Sequence, residues 1–255
     1  MGKRSFFMCL LLLTLGFAMT GQNRLVPTTS IRRLPMEGDA TAKYNWILLK
    51  FLMQDEIGDY KYPNFIYMTI PAFSSEYVLI GSRDENMLVY TRAKENLYYK
   101  YYDKLDKRGK IKYSSELTET YKLQVPDSVM GILAELINSA VMTSSYLFKE
   151  YFLDGVEYHF EIRGNAAECC CPDGRCKELV TIFDKICSAV YNQNLDSINS
   201  LMPLCRKMTE SFRRDYPVDW NGLSQSEKNT YDSQTEESCD VALMSYSMSA
   251  WPWKS

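Results

Sequence analysis

Histidine is nearly absent from this chain, because its 255 residues contain only one, His159. Zinc and iron sites that draw two or more imidazoles from a single chain are therefore excluded. The sequence also lacks the G-x-S-x-G, H-E-x-x-H, G-x-G-x-x-G and P-loop patterns. Without them, no common hydrolase, metalloprotease or nucleotide-binding motif indicates an enzyme, and no cofactor is predicted.

Glycine, proline and excess positive charge are also scarce. With 12 Gly and 9 Pro the chain is neither collagen-like nor of low complexity. A composition of 46% apolar and 13% aromatic residues excludes disorder throughout the chain. The net charge of −3 gives no bulk signal for nucleic-acid binding. We therefore expect a folded protein that does not bind nucleic acid.

The first residues have the pattern of a secretory signal peptide. Lys3 and Arg4 precede the uncharged and mostly apolar residues 6–19, and small residues follow. About 14 apolar residues are too few to span a bilayer, which takes roughly 20, and no later segment approaches that length. We expect residues 1–20 to be removed on export to the periplasm, the cell surface or the medium, with no membrane span in the mature chain.

Export would place the cysteines in an oxidising compartment, where disulfides persist. The chain has eight cysteines, and the loss of Cys9 with the signal peptide leaves seven. Because seven is odd, at least one thiol stays unpaired within the chain, binds another group or pairs between chains.

The rest of the chain divides into three predicted parts. Residues 21–38 lack periodicity and are predicted to be a linker, residues 39–215 a single domain, and residues 216–255 an acidic, mobile tail. Within the domain, apolar spacing predicts a helix over 42–53, strands over 65–70, 77–80, 87–91, 97–102, 111–113 and 118–125, a helix over 129–141, a hairpin over 146–164, and helices over 179–191 and 198–212.

This order of elements predicts an α+β fold. Short turns between successive strands indicate an antiparallel meander, and Asp154-Gly155 predicts the two-residue turn of a further hairpin. The central helix and a C-terminal antiparallel helical hairpin are expected to pack on this antiparallel sheet.

Four cysteines crowd the predicted start of one helix: Cys169, Cys170, Cys171 and Cys176. A helix N-terminus and the neighbouring Arg175 would stabilise thiolates, so one interpretation is a metal or redox site. The absence of a C-x-x-C pair argues against zinc. The alternative prediction is that these cysteines form structural disulfides with distant partners.

The predicted helical hairpin also places Cys187 near Cys205. Residues equidistant from the connection lie side by side, and the midpoint of these two is residue 196, inside the predicted connection 192–197. We therefore predict an interhelical disulfide, with two unbonded core thiols as the alternative.

A polar cluster surrounds the single histidine in the predicted hairpin. Glu150 is expected to pair with His159, and Glu157 and Glu161 flank the histidine on the same face. Such a cluster could serve acid–base catalysis or weak cation binding. Because the alternate positions are apolar, the simpler prediction is that this polar face is solvated.

Residues 97–113 interleave tyrosines with lysines and an arginine. Aromatic rings stack on bases or sugars and basic groups attract anions, so the run is a candidate ligand site. In an exported protein an anionic glycan is the favoured ligand. The alternative is a pair of edge strands protected by lysines.

These patterns predict an exported, non-catalytic binding or structural module with an extracytoplasmic partner or glycan. One alternative is a thiol-based metal-binding or redox protein that uses the cysteines of 169–176. A further alternative is a hydrolase that uses the carboxylates beside His159.

Overall fold

The computed structural model describes residues 25–31, 40–53, 63–82, 85–101, 115–144 and 155–214. The chain divides into two units, residues 1–214 and 215–255, and every described residue belongs to the first. The predicted signal peptide and acidic tail therefore lie outside the described residues. Within the described ranges, no helix is long and apolar enough to cross a membrane.

Seven antiparallel strands form one sheet, which confirms the predicted α+β fold class. The strands are β1 (Val26–Thr28), β2 (Phe65–Pro71), β3 (Tyr77–Ser82), β4 (Met87–Ala93), β5 (Thr118–Gln124), β6 (Val156–Ile162) and β7 (Asn165–Cys170). Their order across the sheet is β1-β7-β6-β2-β3-β4-β5. The predicted meander is the run from β2 to β5, in which each strand pairs with the next.

The hairpin between β6 and β7 turns at Arg163-Gly164. Both residues have positive φ, 50° and 82°, as a type I′ turn requires. The hairpin predicted around Asp154-Gly155 has Asp154 and its first strand outside the described residues. A strand over 165–170 was missing from the prediction, because its sequence is rich in alanine and cysteine rather than in typical strand formers.

Two other segments differ from the predicted pattern. Residues 26–28, within the predicted linker, form β1 at the edge of the sheet against β7 and help to bury Leu25 and Val26. Residues 97–101 form a short helix rather than a strand. The tyrosines in this segment favour a strand locally, but side chains from elsewhere in the fold bind its first backbone N–H groups.

Four longer helices in the described chain match the helices that apolar spacing predicts. They are α1 (Ala40–Leu52), α2 (Asp127–Met142), α3 (Gly174–Tyr191) and α4 (Leu195–Arg213). Helices α3 and α4 pack together, as the predicted helical hairpin requires. Their connection is residues 192–194, shorter than the predicted 192–197.

The two faces of the sheet belong to two separate hydrophobic cores. Side chains such as Tyr67 and Leu79 pack with α2, α3 and α4, and we call this side the three-helix face. Side chains such as Ile66 and Met68 pack with α1, and we call this side the α1 face. Strands β2 and β3 are buried on both faces, so their apolar residues follow each other without alternation.

Gly81 is required where β3 passes Phe65 of β2. The two residues pair directly, and a Cβ atom on Gly81 would lie 2.3 Å from the Phe65 ring. The ring fills the space that any other side chain at this position would need, which is how interiors reach their high packing density.

Asp184 of α3 joins its helix to the sheet through two tyrosines. The hydroxyls of Tyr67 and Tyr77 donate to the same oxygen, Oδ1 of Asp184, at 2.7 and 2.8 Å. Burial is the largest cause that raises the pKa of both tyrosines, and the charge of Asp184 adds to it. Both hydroxyls therefore stay protonated, and Asp184 is the acceptor that compensates for their removal from water.

We expect Asp184→Ala to lower the free energy of unfolding by about 2–4 kcal/mol, because it leaves two hydroxyls unpaired in the core. Urea denaturation at neutral pH measures this loss. Asp184→Asn is the matched control, since it retains an acceptor oxygen, and it should lose less than half as much. Equal losses in the two variants would show that the acceptor is not what matters.

Candidate functional site

Three aromatic side chains stand exposed on neighbouring loops. Phe73, in the β2–β3 loop, is 73% exposed, and Tyr99, in the short helix 97–101, is 63% exposed. Tyr98 precedes it and is also exposed. We call Phe73, Tyr98 and Tyr99 the aromatic surface. Aromatic rings are enriched at protein interfaces, so a group of them on the surface indicates binding.

Asn96 ties the two loops of the aromatic surface together. Its Nδ2 donates to the carbonyl oxygen of Ser74 at 2.8 Å, one residue after Phe73. Its Oδ1 accepts the backbone N–H of Tyr99 at 3.0 Å, which is the contact of a helix N-cap. One side chain thus holds both loops, so little conformational entropy remains to be lost when a ligand binds.

Glu76 anchors the same short helix from inside the protein. Its buried carboxylate accepts the backbone N–H of Leu97 at 2.9 Å and that of Tyr98 at 3.3 Å. It also accepts the hydroxyl of Tyr44, on α1, at 2.5 Å. Hydrogen bonds to an ionised carboxylate are roughly twice as strong as neutral ones. Glu76 therefore joins the sheet, α1 and the aromatic surface.

Burial changes the pKa of Glu76 and of its partner Tyr44. It raises the pKa of Glu76 above its ordinary value of 4.5, although the hydrogen bonds from Tyr44, Leu97 and Tyr98 oppose the shift. Burial also raises the pKa of Tyr44, and the charge of Glu76 adds to that shift. Tyr44 therefore keeps its proton and remains a donor to Glu76.

The tyrosines of the predicted basic–aromatic run have two different roles. Tyr98 packs edge-on against Tyr44 and Tyr99, with ring centroids 5.1 and 5.6 Å apart. Tyr101 instead stacks on Phe51 of α1 at 4.6 Å and joins the core of the α1 face. The run thus divides into an exposed part and a part that fixes it to the protein.

Positive charge accompanies the exposed rings. Lys94 is exposed two residues before Asn96, and Lys100 forms an ion pair with Glu95. The rest of the run, residues 102–114, lies outside the described residues. The edge strands expected there are therefore untested beyond residue 101, and up to that residue the run is helical.

The four clustered cysteines have different surroundings. Cys169 and Cys176 are fully buried in the core of the three-helix face, and both are free. Cys170 and Cys171 are partly exposed. Neighbouring residues of β7 point to opposite faces of the sheet, so Cys169 and Cys170 do not converge on one ion. Among the described residues, no three His, Cys, Asp or Glu side chains are grouped so that they could hold a metal ion.

Cys187 and Cys205 are both buried and both free, so the disulfide expected between them is not formed in the structure. The short connection explains why. Its centre is Gln193, so the residue level with Cys187 is Asn199. Cys205 lies six residues further along α4, about 9 Å at the rise of an α-helix.

His159 and Glu161 share a face of β6, as alternation predicts, but this face is not solvated. His159 is 4% exposed and Glu161 is 1% exposed, and His159 pairs with Met68 on the α1 face. Oε2 of Glu161 accepts the backbone N–H of Ile31 at 3.2 Å and lies 3.5 Å from Nε2 of His159. The prediction of a solvated face is therefore wrong for these two residues. Glu157, further along β6, is half-buried.

The predicted partner of His159 is also wrong. Glu150 itself lies outside the described residues, but both neighbours of β6 are already in place. Met68 of β2 and Glu168 of β7 occupy the two positions beside His159. The structure therefore brings Glu161 to the histidine and leaves no ladder position beside His159 for a further strand.

Sequence reasoning missed Phe73, Glu76 and Asn96. An asparagine before a short helix is a recognised N-cap signal, so Asn96 could have been found if the segment had not been assigned to a strand. Glu76 carries no local signal, because its partners Tyr44 and Leu97 are distant in the sequence.

The substitution Glu76→Gln replaces the ionisable carboxyl group with a neutral amide of nearly the same size. Because folding raises the pKa of Glu76, its contribution to stability is fully present below its unfolded-state value of 4.5 and is lost as pH rises through the folded-state value. We expect the free energy of unfolding of the wild type minus that of the variant to fall as pH rises from about 4 to about 8. Urea denaturation across this range measures the difference, and a constant or rising difference would contradict the assignment.

Comparison of the whole chain with protein-family models, with curated proteins and with solved structures finds no match. The candidate site is identified by exposure and contacts alone: the three rings of the aromatic surface are exposed, and so is Lys94, four residues before Tyr98.

Proposed function

We propose that the protein is an exported, non-catalytic binding module and that its ligand lies on the aromatic surface. The observation that carries this proposal is the exposure of Phe73 and Tyr99 on two loops that Asn96 joins. Exposed apolar rings are unfavourable in water, and their retention on fixed loops is typical of a binding site.

The proposed ligand is an anionic glycan. The faces of aromatic rings pack well against the C–H faces of sugar rings, and Tyr hydroxyls can hydrogen-bond to sugar hydroxyls. Lys94, exposed two residues before Asn96, supplies positive charge for carboxylate or sulfate groups, whereas Lys100 is paired with Glu95. The overall charge of −3 does not oppose this, since attraction acts through the local groups within a Debye length of about 8 Å.

The other chemically active groups support a non-catalytic role. His159 and Glu161 are buried side by side, and Glu161 binds the backbone of Ile31. A general base must reach the substrate proton within hydrogen-bond distance, which these buried side chains do not offer in this conformation. The hydrolase alternative therefore has less support than the binding module.

We expect the double variant Phe73→Ala, Tyr99→Ala to bind an anionic polysaccharide at least about tenfold more weakly, because each buried interface ring contributes on the order of 1 kcal/mol or more. Heparin and polygalacturonate are suitable probes in affinity electrophoresis, with neutral dextran as the uncharged comparison. The wild type should bind the anionic probes, and its dissociation constant should rise with salt.

Leu204→Ala is the matched control for this experiment, since Leu204 is an exposed apolar residue on α4. It should leave binding unchanged, and all variants should keep the wild-type Tm because the altered side chains are exposed. Equal loss in the control, or no wild-type binding to either anionic probe, would overturn the glycan proposal.

Export has its own test. We expect the protein secreted from an expressing cell to begin near residue 21, with the mass of the chain reduced accordingly. Leu12→Arg interrupts the apolar stretch with a charge, so this variant should stay inside the cell with its full mass. Intracellular retention of the wild type at full mass would remove the support for export.

A further inference from the structure

The buried carboxyl group of Glu76 is surrounded by hydrogen-bond donors. Its Oε1 accepts the Tyr44 hydroxyl and the backbone N–H of Tyr98. The backbone nitrogen of Leu97 lies 3.0 Å from Oε1 and 2.9 Å from Oε2. An ionised carboxylate only accepts hydrogen bonds, whereas a carboxylic acid also has a proton to donate. Because Glu76 is 0% exposed and its partners donate, the arrangement matches the ionised form.

Protonation of Glu76 would weaken its contacts with the short helix 97–101. Hydrogen bonds from N–H groups to an ionised acceptor are roughly twice as strong as those to a neutral one. The acid proton would also need an acceptor. The N–H groups of Leu97 and Tyr98 can only donate, so the Tyr44 oxygen would have to exchange its role. The first turn of the helix is therefore held less firmly by the neutral form.

We propose that Glu76 is a positioning residue that makes the aromatic surface sensitive to pH. Its ionised form holds Tyr98 and Tyr99 in the arrangement that binds the ligand. On protonation the start of the helix loosens, and binding becomes weaker. The inference rests on the proposed binding function of the aromatic surface, and it adds the form of Glu76 in which that surface binds most tightly.

The direction of the pH effect follows from the burial of Glu76. Burial raises its pKa above the ordinary value of 4.5, so the protonated form persists to a higher pH than on an exposed glutamate. The carboxylate is present above the folded-state pKa and is lost as pH falls through it. Binding should therefore weaken toward acidic pH. The contribution of Glu76 to the free energy of unfolding changes in the opposite direction, because the ionised group is buried at a cost.

Other titratable and charged groups lie on the elements of this face. They are Tyr44 and Lys50 on α1, Glu157, His159 and Glu161 on β6, and Lys94, Glu95, Tyr98 and Lys100 around the short helix. Burial and the charge of Glu76 raise the pKa of Tyr44, and the charge of Glu157 acts in the same direction, so Tyr44 keeps its proton. A substitution at Glu76 leaves all these other groups in place and therefore isolates the titration of this carboxyl group.

The loosening is partial, because the other anchors of the site do not titrate. The amide of Asn96 binds the carbonyl of Ser74 and the backbone N–H of Tyr99, and an amide stays neutral as pH changes. The stacking of Tyr101 on Phe51 does not depend on charge either. We therefore expect a change in affinity of about threefold or more rather than complete loss of binding.

The first test measures binding of dextran sulfate to the full-length chain from pH about 4 to about 8. The sulfate groups of this polymer stay ionised over the range, and neutral dextran is the uncharged comparison. Glu76→Gln is neutral at every pH. We expect the dissociation constant of this variant divided by that of the wild type to be about 1 at the lowest pH and about 3 or more at the highest. A ratio that does not change with pH would overturn the proposal.

Tyr44→Phe should shift the midpoint of this pH dependence. The hydrogen bond from Tyr44 lowers the pKa of Glu76, so its removal should move the midpoint to higher pH. An aromatic ring remains at this position to pack against Tyr98. Leu204→Ala is the control, since it alters an exposed side chain on α4 and should leave the midpoint unchanged. A midpoint that stays the same or falls in Tyr44→Phe would contradict the role of Glu76.

A second measurement needs no ligand and so separates this inference from the glycan proposal. It follows the protection of the Leu97 and Tyr98 amides from hydrogen exchange, corrected for the intrinsic rate at each pH. In the wild type we expect protection to fall by about threefold or more as pH is lowered, and in Glu76→Gln to stay constant. Constant protection in the wild type would overturn the inference even if dextran sulfate binds. Protection that depends on pH, in a wild type that does not bind the polymer, would support the role of Glu76 and overturn only the glycan.

Discussion

The burial of β2 on both of its faces is the constraint on which the rest of the structure depends. Phe65 and Tyr67 point into the core of the three-helix face, and Ile66 and Met68 point into the core of the α1 face. Each Å² of apolar surface left in water would cost about 25 cal/mol. Both faces therefore need a helical layer, which α2, α3 and α4 supply on one side and α1 on the other.

A sheet that is covered on both sides leaves polar strand residues little access to water. Asp184 accepts two tyrosine hydroxyls, Glu76 accepts two backbone N–H groups and Tyr44, and Glu161 accepts the N–H of Ile31. Each of these contacts joins elements that are far apart in the sequence. A buried polar group without a partner costs about 1–3 kcal/mol, so such groups are retained where they hold the fold together. Phe73 and Tyr99 are highly exposed aromatic side chains that lie outside the strands, in the β2–β3 loop and in the short helix 97–101.

Local periodicity was enough to predict most elements but not their surroundings. The four longer helices and the meander from β2 to β5 follow from apolar spacing and turn residues. Strand β7 and the helix 97–101 do not, because pairing with β6 and capping by Glu76 override the local preferences of their residues. For the candidate site, the tyrosines of the basic–aromatic run were predicted, whereas Phe73 and Glu76 depend on contacts between loops that no local pattern shows. Asn96 has a local N-cap signal, which the assignment of its segment to a strand concealed.

The histidine and the cysteines also show that local sequence patterns do not predict the surroundings of a reactive side chain. Alternation correctly groups His159 with Glu161. A polar face of a strand is solvated, however, only when helices cover just the other face of the sheet, and here both faces are covered. The four cysteines within residues 169–176 suggest one site, yet the period of two along β7 separates Cys169 from Cys170, and Cys171 has a left-handed backbone conformation just after the strand ends. Of the four, Cys169 and Cys176 are buried in the same core, whereas Cys170 and Cys171 are partly exposed. Adjacent positions in the sequence therefore do not show which of these cysteines lie together. The backbone conformation determines which side chains share a face of the sheet.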